Sequence, residues 1–247
     1  ISCPGPTLRP GEFFMNPGRL FLSLLKWDLL REIRRMEIVL NMALFAVLML
    51  TIAQLGTGGD SLVVSRVGPV FFWMAVVFTG TVGLSQSFAA EREGGILNGI
   101  QLAPIDHGIF YLAKVAATWV YIMVMGLSLL GVYILFFNFM RPDLYPALIL
   151  VLGVFALGYT GVGIILSSMT TALRGGGEIV LRILLLPLMV PVVLLTFQVS
   201  EATFGVTVAD GILGPPLELW KYLLTILSLD AIYLVIGYLV FPKIIEE

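Results

Sequence analysis

The chain has 247 residues, of which 59% are hydrophobic and only 12% are charged, and its mean hydropathy is +1.02. Soluble domains carry about 25% charged residues, so this composition excludes an ordinary soluble protein and predicts a chain that lies mostly in a bilayer. A net charge of -2, with no basic face away from the membrane-flanking segments, excludes nucleic acid as a partner.

The N-terminal residues 1–18 are rich in proline and glycine, a composition that resists both helix and strand. We predict a disordered N-terminal extension over 1–18. The stretch before Met15 has no apolar core of the kind that a signal peptide needs, and we interpret residues 1–14 as either an upstream extension or a remnant of cloning.

Residues 19–37 combine apolar residues at helical spacing with basic residues near the end. The apolar positions are Leu20, Leu24, Trp27, Leu30 and Ile33, and the basic ones are Lys26, Arg31, Arg34 and Arg35. This pattern predicts an amphipathic helix in the membrane interface, with its apolar side in the acyl region and its basic residues among lipid headgroups. The alternative is a helix that packs on a partner protein, since amphipathicity alone does not separate the two.

Six apolar runs follow and predict six transmembrane helices within 38–247. They cover Ile38 to Leu55, Val67 to Ala90, Ile109 to Met140, Tyr145 to Leu173, Ile179 to Val199 and Leu217 to Phe241. A crossing needs about 20 apolar residues, so the third and fourth runs are long enough to tilt or to extend beyond the hydrocarbon. The predicted fold class is therefore an all-α membrane protein.

The distribution of lysine and arginine predicts the orientation, because basic residues are retained on the cytoplasmic side. An N-terminus inside the cell places eleven basic residues inside and three outside, the latter being Arg66, Arg141 and Lys221. Both termini are then cytoplasmic. No connection is long enough for a soluble domain, so chemistry in an aqueous site must come from another chain.

The connection between the second and third runs has a pattern of its own. We predict a short cytoplasmic coupling helix within 91–108, on which a soluble partner acts; the alternative is a solvated turn. Its charged start is followed by a glycine pair, and apolar residues then recur on one side before a proline ends the helix. These residues are Glu91, Arg92, Glu93, Gly94, Ile96, Leu97, Ile100 and Pro104.

Two features of the later runs affect helix shape and packing. Pro187 and Pro191 predict a bend in the fifth run, which follows a flexible basic cytoplasmic turn of Arg174, Gly175 and Gly176. In the fourth run, small residues predict close helix contact, either with another copy of the chain or with a helix of the same chain. These small residues are Gly158, Gly161 and Gly163.

Asp230 lies inside the last apolar run, where an ionisable group is costly and is a functional candidate by default. The structural alternative is a carboxyl group that is protonated or paired with a nearby hydroxyl, such as that of Ser228 or Thr225. Both interpretations remain open from the sequence.

Other chemistry has little support in the sequence. The single cysteine, Cys3, excludes an intrachain disulfide, no C-x-x-C motif is present, and residues 56–59 lack the lysine and hydroxyl residue of a phosphate loop. His107, the only histidine, is interpreted as a surface loop residue rather than a haem ligand, and no nucleophile elbow accompanies it. We therefore expect a non-catalytic membrane subunit with no metal and no directly bound cofactor, and no residues that support haem binding.

Two motifs together resemble the haem exporter B family, the permease subunit of the cytochrome c maturation ABC transporter. They are EREGGILNGIQLAPIDHGIFYLAKV at 91–115 and LRGGGEIVLRILLLPLMVPVVL at 173–194. The first motif alone is shared with other type-2 ABC permeases, and the combination with the second narrows the resemblance. Asp230 and the proline-rich N-terminus are not part of it.

The resemblance implies a type-2 ABC exporter arrangement in the bacterial inner membrane, with ATP hydrolysed by a separate ATPase subunit. It also implies a haem-handling membrane subunit and a small single-span subunit as partners. The residues themselves indicate the bilayer as a partner and leave open a second copy of the chain. Residues 91–94 and the helix to Pro104 would contact the ATPase, whose cycle drives release of a haem-loaded chaperone. The rival interpretations are a type-2 permease for a drug, lipid or polysaccharide, and an assembly scaffold without a conduction pathway.

Overall fold

The computed structural model describes residues 17–33, 36–58, 61–93, 107–137, 145–171, 177–204 and 216–246, and these residues form α-helices joined by gaps and one short turn. The helices are α1 (Pro17–Ile33), α2 (Met36–Gly56), α3 (Ser61–Glu93), α4 (His107–Phe137), α5 (Tyr145–Thr171), α6 (Gly177–Phe204) and α7 (Pro216–Glu246). The all-α prediction is confirmed for this part of the chain.

The helix bounds differ from the predicted ones mainly at polar ends. Helix α1 begins at Pro17, within the stretch predicted to be disordered, because proline at the first helical position loses no internal hydrogen bond. Helix α3 begins six residues before Val67 and continues through Glu93, beyond the predicted end at Ala90. Polar residues end an apolar run, but they do not end a helix whose backbone hydrogen bonds continue.

Helix α2 ends in a glycine cap. Thr57 N–H donates to Ala53 O at 3.1 Å, and Gly58 N–H donates to Leu55 O at 3.2 Å. Gly58 has a φ of 60°, the left-handed conformation in which glycine is favoured at helix ends. The chain can therefore turn sharply into α3.

Helix α5 lies at the centre of the bundle, with α7 and α6 as its most extensive neighbours and α3 and α4 also packed on it. Its small residues create the close contacts. A Cβ on Gly158 would overlap Asp230 of α7, and one on Gly163 would overlap Leu84 of α3, while Gly161 faces Leu234. The glycine face predicted to meet either another copy or the same chain therefore packs against helices of its own chain.

Four helices contain stretches long and apolar enough to cross a bilayer within the described residues. These are His107–Phe137, Tyr145–Met169, Ile183–Ser200 and Trp220–Lys243. Helices α2 and α3 contain shorter apolar stretches, Ala43–Gly56 and Gly68–Leu84. A multi-pass membrane protein follows from these lengths and compositions.

Helix α1 packs mainly on α4. Leu24 contacts the apolar core, whereas Leu22 is 61% exposed and Lys26 is also exposed. Part of the apolar side that the sequence placed among lipid chains thus contacts the protein itself.

Candidate functional site

The predicted coupling residues lie between α3 and α4. Glu91, Arg92 and Glu93 form the last turn of α3, and α4 begins at His107. The remaining coupling positions, Gly94, Ile96, Leu97, Ile100 and Pro104, lie outside the described residues, and the same is true of Arg174, Gly175 and Gly176. We call α3 and α4 the flanking helices, since any force on 94–106 reaches the bundle through them.

Helix α3 is joined to α6 and α5 by buried hydrogen bonds. The indole Nε1 of Trp73 donates to Ser200 Oγ on α6 at 2.7 Å. The Tyr159 hydroxyl on α5 donates to Val77 O at 3.0 Å and lies 2.7 Å from Thr81 Oγ1. Hydrogen bonds between apolar helices resist sliding because the separated groups would find few other partners in lipid.

Helix α4 is joined to α5 at two levels. The Tyr111 hydroxyl donates to Gly161 O at 3.1 Å, and the Trp119 indole donates to Gly153 O at 2.9 Å. A Cβ on Gly237 of α7 would overlap the Tyr111 hydroxyl, so Tyr111 fills a notch between α5 and α7. A displacement of α4 would therefore disturb the centre of the bundle.

Helix α4 is also joined to α1 by an ion pair that the sequence analysis did not predict. Lys114 Nζ lies 3.4 Å from Asp28 Oδ1 and 3.3 Å from Oδ2, with side-chain exposures of 4% for Lys114 and 12% for Asp28. The signal was present, since each residue interrupts an apolar stretch (LLKWDLL and YLAKVAATWV) where an isolated charge is costly. The sequence alone does not pair these two interruptions, because the contact depends on how α1 packs on α4.

Aromatic rings link the same helices through the core. Successive ring centroids lie 4.7 to 5.7 Å apart, the separations at which aromatic pairs are favourable. In contact order these residues are Phe137, Tyr133, Phe72, Trp73, Phe155 and Tyr159. The flanking helices therefore share one core with α5.

Replacing Tyr159 with phenylalanine is expected to lower the free energy of unfolding by about 1 kcal/mol, because the ring stays packed while the hydroxyl contacts with Val77 and Thr81 are lost. Tyr238→Phe on α7 is the matched control, since Tyr238 is 40% exposed, and its effect should be close to zero. Melting temperatures of the purified variants provide the measurement. Equal shifts for both variants would contradict a role for the Tyr159 hydroxyl.

Asp230 is fully buried on α7 and lies against Gly158 of α5. Neither carboxyl oxygen has a hydrogen-bond partner among the described residues. The alternative of a pairing with Ser228 or Thr225, which the sequence left open, is not found. Both hydroxyls are exposed and donate to carbonyls of their own helix, Ser228 to Leu224 O and Thr225 to Lys221 O, because serine and threonine in a helix readily bond one turn back.

Helix α6 continues without interruption through Pro187 and Pro191, and both proline side chains are exposed. The Tyr233 hydroxyl of α7 donates to Leu188 O, between the two prolines, at 3.4 Å. A neighbouring helix thus offers a donor beside the region where proline removes backbone hydrogen bonds. The bend itself stays a prediction.

His107 is the first residue of α4 and is partly buried, not a surface loop residue as the sequence suggested. Its Nε2 has no hydrogen-bond partner within the described ranges. No group of three His, Cys, Asp or Glu side chains that could hold a metal ion is found in the described part of the chain. The helix begins at His107 itself, which explains the different position of this residue.

Comparison of the sequence with those of known proteins identifies its family. The family model described as "CcmB protein" matches residues 19–243. The chain is 28% identical to heme exporter protein B of Haemophilus influenzae over 192 residues, covering 78% of this chain and 86% of that protein. It is 30% identical to heme exporter protein B of Paracoccus denitrificans over 171 residues, covering 67% and 74%.

A third relative, heme exporter protein B of Bradyrhizobium diazoefficiens, is 26% identical over 198 residues, covering 78% of this chain and 82% of that protein. The matched family region begins within α1 and ends near the end of α7, so it includes the flanking helices and the segment between them. The resemblance to the haem exporter B family is thereby confirmed, and the chain belongs to the CcmB protein family.

Proposed function

We propose that this chain is the transmembrane permease subunit of an ABC transporter for cytochrome c biogenesis, which converts ATP hydrolysis by a separate subunit into movement within the membrane. The observation that carries the proposal is the family match across 19–243. Relatives that cover most of the chain are named heme exporter protein B, which supports haem export as the process served.

The proposed arrangement is the six-helix one of type-2 ABC exporters, with α2 to α7 crossing the bilayer and α1 at its cytoplasmic surface. Helix α2 has 21 residues and α3 has 33. At 1.5 Å per residue, both exceed the roughly 30 Å of the hydrocarbon core. The described apolar stretches of α2 and α3 are shorter than those of α4 to α7. The support for these two crossings therefore comes from the length of the helices.

The proposed site of action is the segment 91–108, which would contact the ATPase from the cytoplasm. The contacts of the flanking helices support it. Through Trp73 and Tyr159, α3 is bonded to α6 and α5, and through Tyr111 and Lys114, α4 is bonded to α5 and α1. A displacement of 94–106 would therefore move several helices together.

Nucleotide binding can select between two packings of these helices only if the ATPase binds one of them more tightly. The residues favour mechanical transmission over conduction of haem by this subunit. Among the described side chains, the apolar core is continuous and no metal-ligating group is assembled. A haem-handling membrane subunit and a small single-span subunit are the further proposed partners, in the bacterial inner membrane with both termini cytoplasmic.

Reversing the charges at the end of α3 tests the proposed contact. The double change Glu91→Lys and Arg92→Glu is expected to reduce ATPase activity of the purified complex by about tenfold, since like charges brought together at a contact cost about 1.4 kcal/mol or more. Lys221→Glu, an exposed residue near the other end of the bundle, is the control and should leave the activity unchanged.

Co-purification from a detergent extract is the companion measurement. An ATPase chain and haem-handling chains should accompany the wild-type protein, and the ATPase should be depleted in the double variant. Unchanged ATPase binding and activity in the double variant would overturn the coupling role of 91–92. Purification of the wild-type chain alone, with full activity, would overturn the proposed function.

A further inference from the structure

The carboxyl group of Asp230 lies in the interface between α5 and α7. Asp230 projects from α7 onto Gly158, and any Cβ at position 158 would overlap its Oδ1 atom. Asp230 is 0% exposed, and both of its oxygens lack a hydrogen-bond partner among the described residues. The absence of a side chain on Gly158 is what leaves space for the carboxyl group.

Three tyrosine hydroxyls of the helices that pack here have other hydrogen-bond partners. The Tyr111 hydroxyl of α4 donates to Gly161 O, the Tyr159 hydroxyl of α5 donates to Val77 O, and the Tyr233 hydroxyl of α7 donates to Leu188 O of α6. None of these hydroxyls donates to Asp230.

Among the described side chains of the surrounding helices, no basic group is paired with Asp230. Helix α5 contains no charged residue, and α6 contains none between Arg182 and Glu201. Lys114, the basic residue of α4, pairs with Asp28. The lysines of α7, Lys221 and Lys243, are exposed.

We propose that Asp230 is a proton-binding site that links the packing of α5 on α7 to protonation. The interface closes over the neutral carboxyl group, because an ionised carboxylate in this position would be a buried charge with no basic partner among the described residues. When α5 and α7 separate, water reaches the carboxyl group, its O–H bond breaks, and the proton passes to water. Closure takes one proton up again.

This proposal does not depend on haem or on the identity of the partners. Any transition that separates α5 from α7 releases a proton. Such a transition therefore becomes easier as the pH rises. The stabilisation by Asp230 is thus present at low pH and is lost at high pH.

Melting curves of the purified full-length chain between about pH 5 and pH 9 test the proposal, with Asp230→Asn as the variant. Asparagine keeps the size of the side chain but cannot ionise. Across this range the wild-type melting temperature should fall by roughly 5 °C more than that of Asp230→Asn. Lys221→Gln is the matched control and should retain the extra fall, because Lys221 is exposed on the same helix.

Two outcomes would overturn the proposal. Parallel pH profiles of wild type and Asp230→Asn would show that Asp230 does not exchange a proton on unfolding. A wild-type protein that gains stability over the variant as the pH rises would show that the carboxylate is charged and paired.

Gly158→Ala provides a second variant if Asp230→Asn does not fold. The added methyl group must displace the carboxyl group, so the variant should melt below the wild type at pH 5 and should lack the extra fall toward pH 9. A Gly158→Ala protein that keeps the complete wild-type pH profile would contradict the proposal. Failure of either test leaves the proposed permease function untouched, since neither measures ATP hydrolysis or partner binding.

Discussion

Replacing Lys114 with alanine is expected to destabilise the protein by about 2–4 kcal/mol, because the Asp28 carboxylate would remain in a largely buried position without this partner. The two side chains are only 4% and 12% exposed, so water screens their attraction weakly. The small stabilisation that is typical of surface ion pairs therefore does not apply. The expected measurement is a fall in the melting temperature of the purified protein. Detachment of α1 from α4 should also increase proteolysis within α1.

Lys26→Ala is the matched control, because Lys26 is exposed on α1 and should change stability by less than about 0.5 kcal/mol. A second comparison separates the charge from the packing. The double change Asp28→Leu and Lys114→Met should cost less than the sum of the single changes, since apolar replacement of a buried pair is often tolerated. Strict additivity would contradict a direct interaction between the two side chains.

Replacing Trp73 with alanine is expected to cost about 3–5 kcal/mol, the range for removing a large aromatic side chain from a packed interior. Trp73 is 1% exposed, its ring lies 5.0 Å from that of Phe155, and its indole donates to Ser200. Loss of the ring would leave a cavity where α3, α5 and α6 meet. Thermal unfolding in detergent would measure the effect.

The neighbouring residue Met74 supplies the control, because it is 37% exposed and faces away from the core, so Met74→Ala should have a much smaller effect than Trp73→Ala. Trp73→Phe is the informative intermediate. It retains most of the packing and loses the bond to Ser200, so a cost of about 1–2 kcal/mol is expected. Similar melting temperatures for Trp73→Ala and Met74→Ala would show that the Trp73 contacts do not stabilise the bundle.

The Lys114 and Trp73 variants test two different kinds of contact, a buried ion pair and an aromatic packing contact. The Lys114 pair holds an amphipathic helix against α4, whereas Trp73 holds three apolar helices together. If transmission from 94–106 depends on the flanking helices, small changes at either contact should alter coupling before they unfold the protein. Tyr159→Phe, with its smaller expected cost, is the variant best suited to separate coupling from stability.

The sequence by itself determined the helical class and the approximate positions of the helices. Apolar runs such as Tyr145 to Leu173 predict helices. Backbone N–H and C=O groups in lipid must be hydrogen-bonded internally, and a helix achieves this within one segment. It also determined the family, since the two motifs at 91–115 and 173–194 lie within the matched region. Helix ends were less well predicted, as α3 shows, because polarity changes before helical hydrogen bonding stops.

Only the tertiary structure decided which side chains meet. Nothing in the local pattern brings Asp28 to Lys114, 86 positions apart, or Asp230 to Gly158, because such pairs depend on how separate helices pack. The sequence identified Asp230 as costly and offered nearby hydroxyls as partners, whereas the packed helices turn those hydroxyls outward and place the carboxyl group on a glycine. Periodicity within one helix fixes which face is apolar, and contacts across helices fix what that face touches.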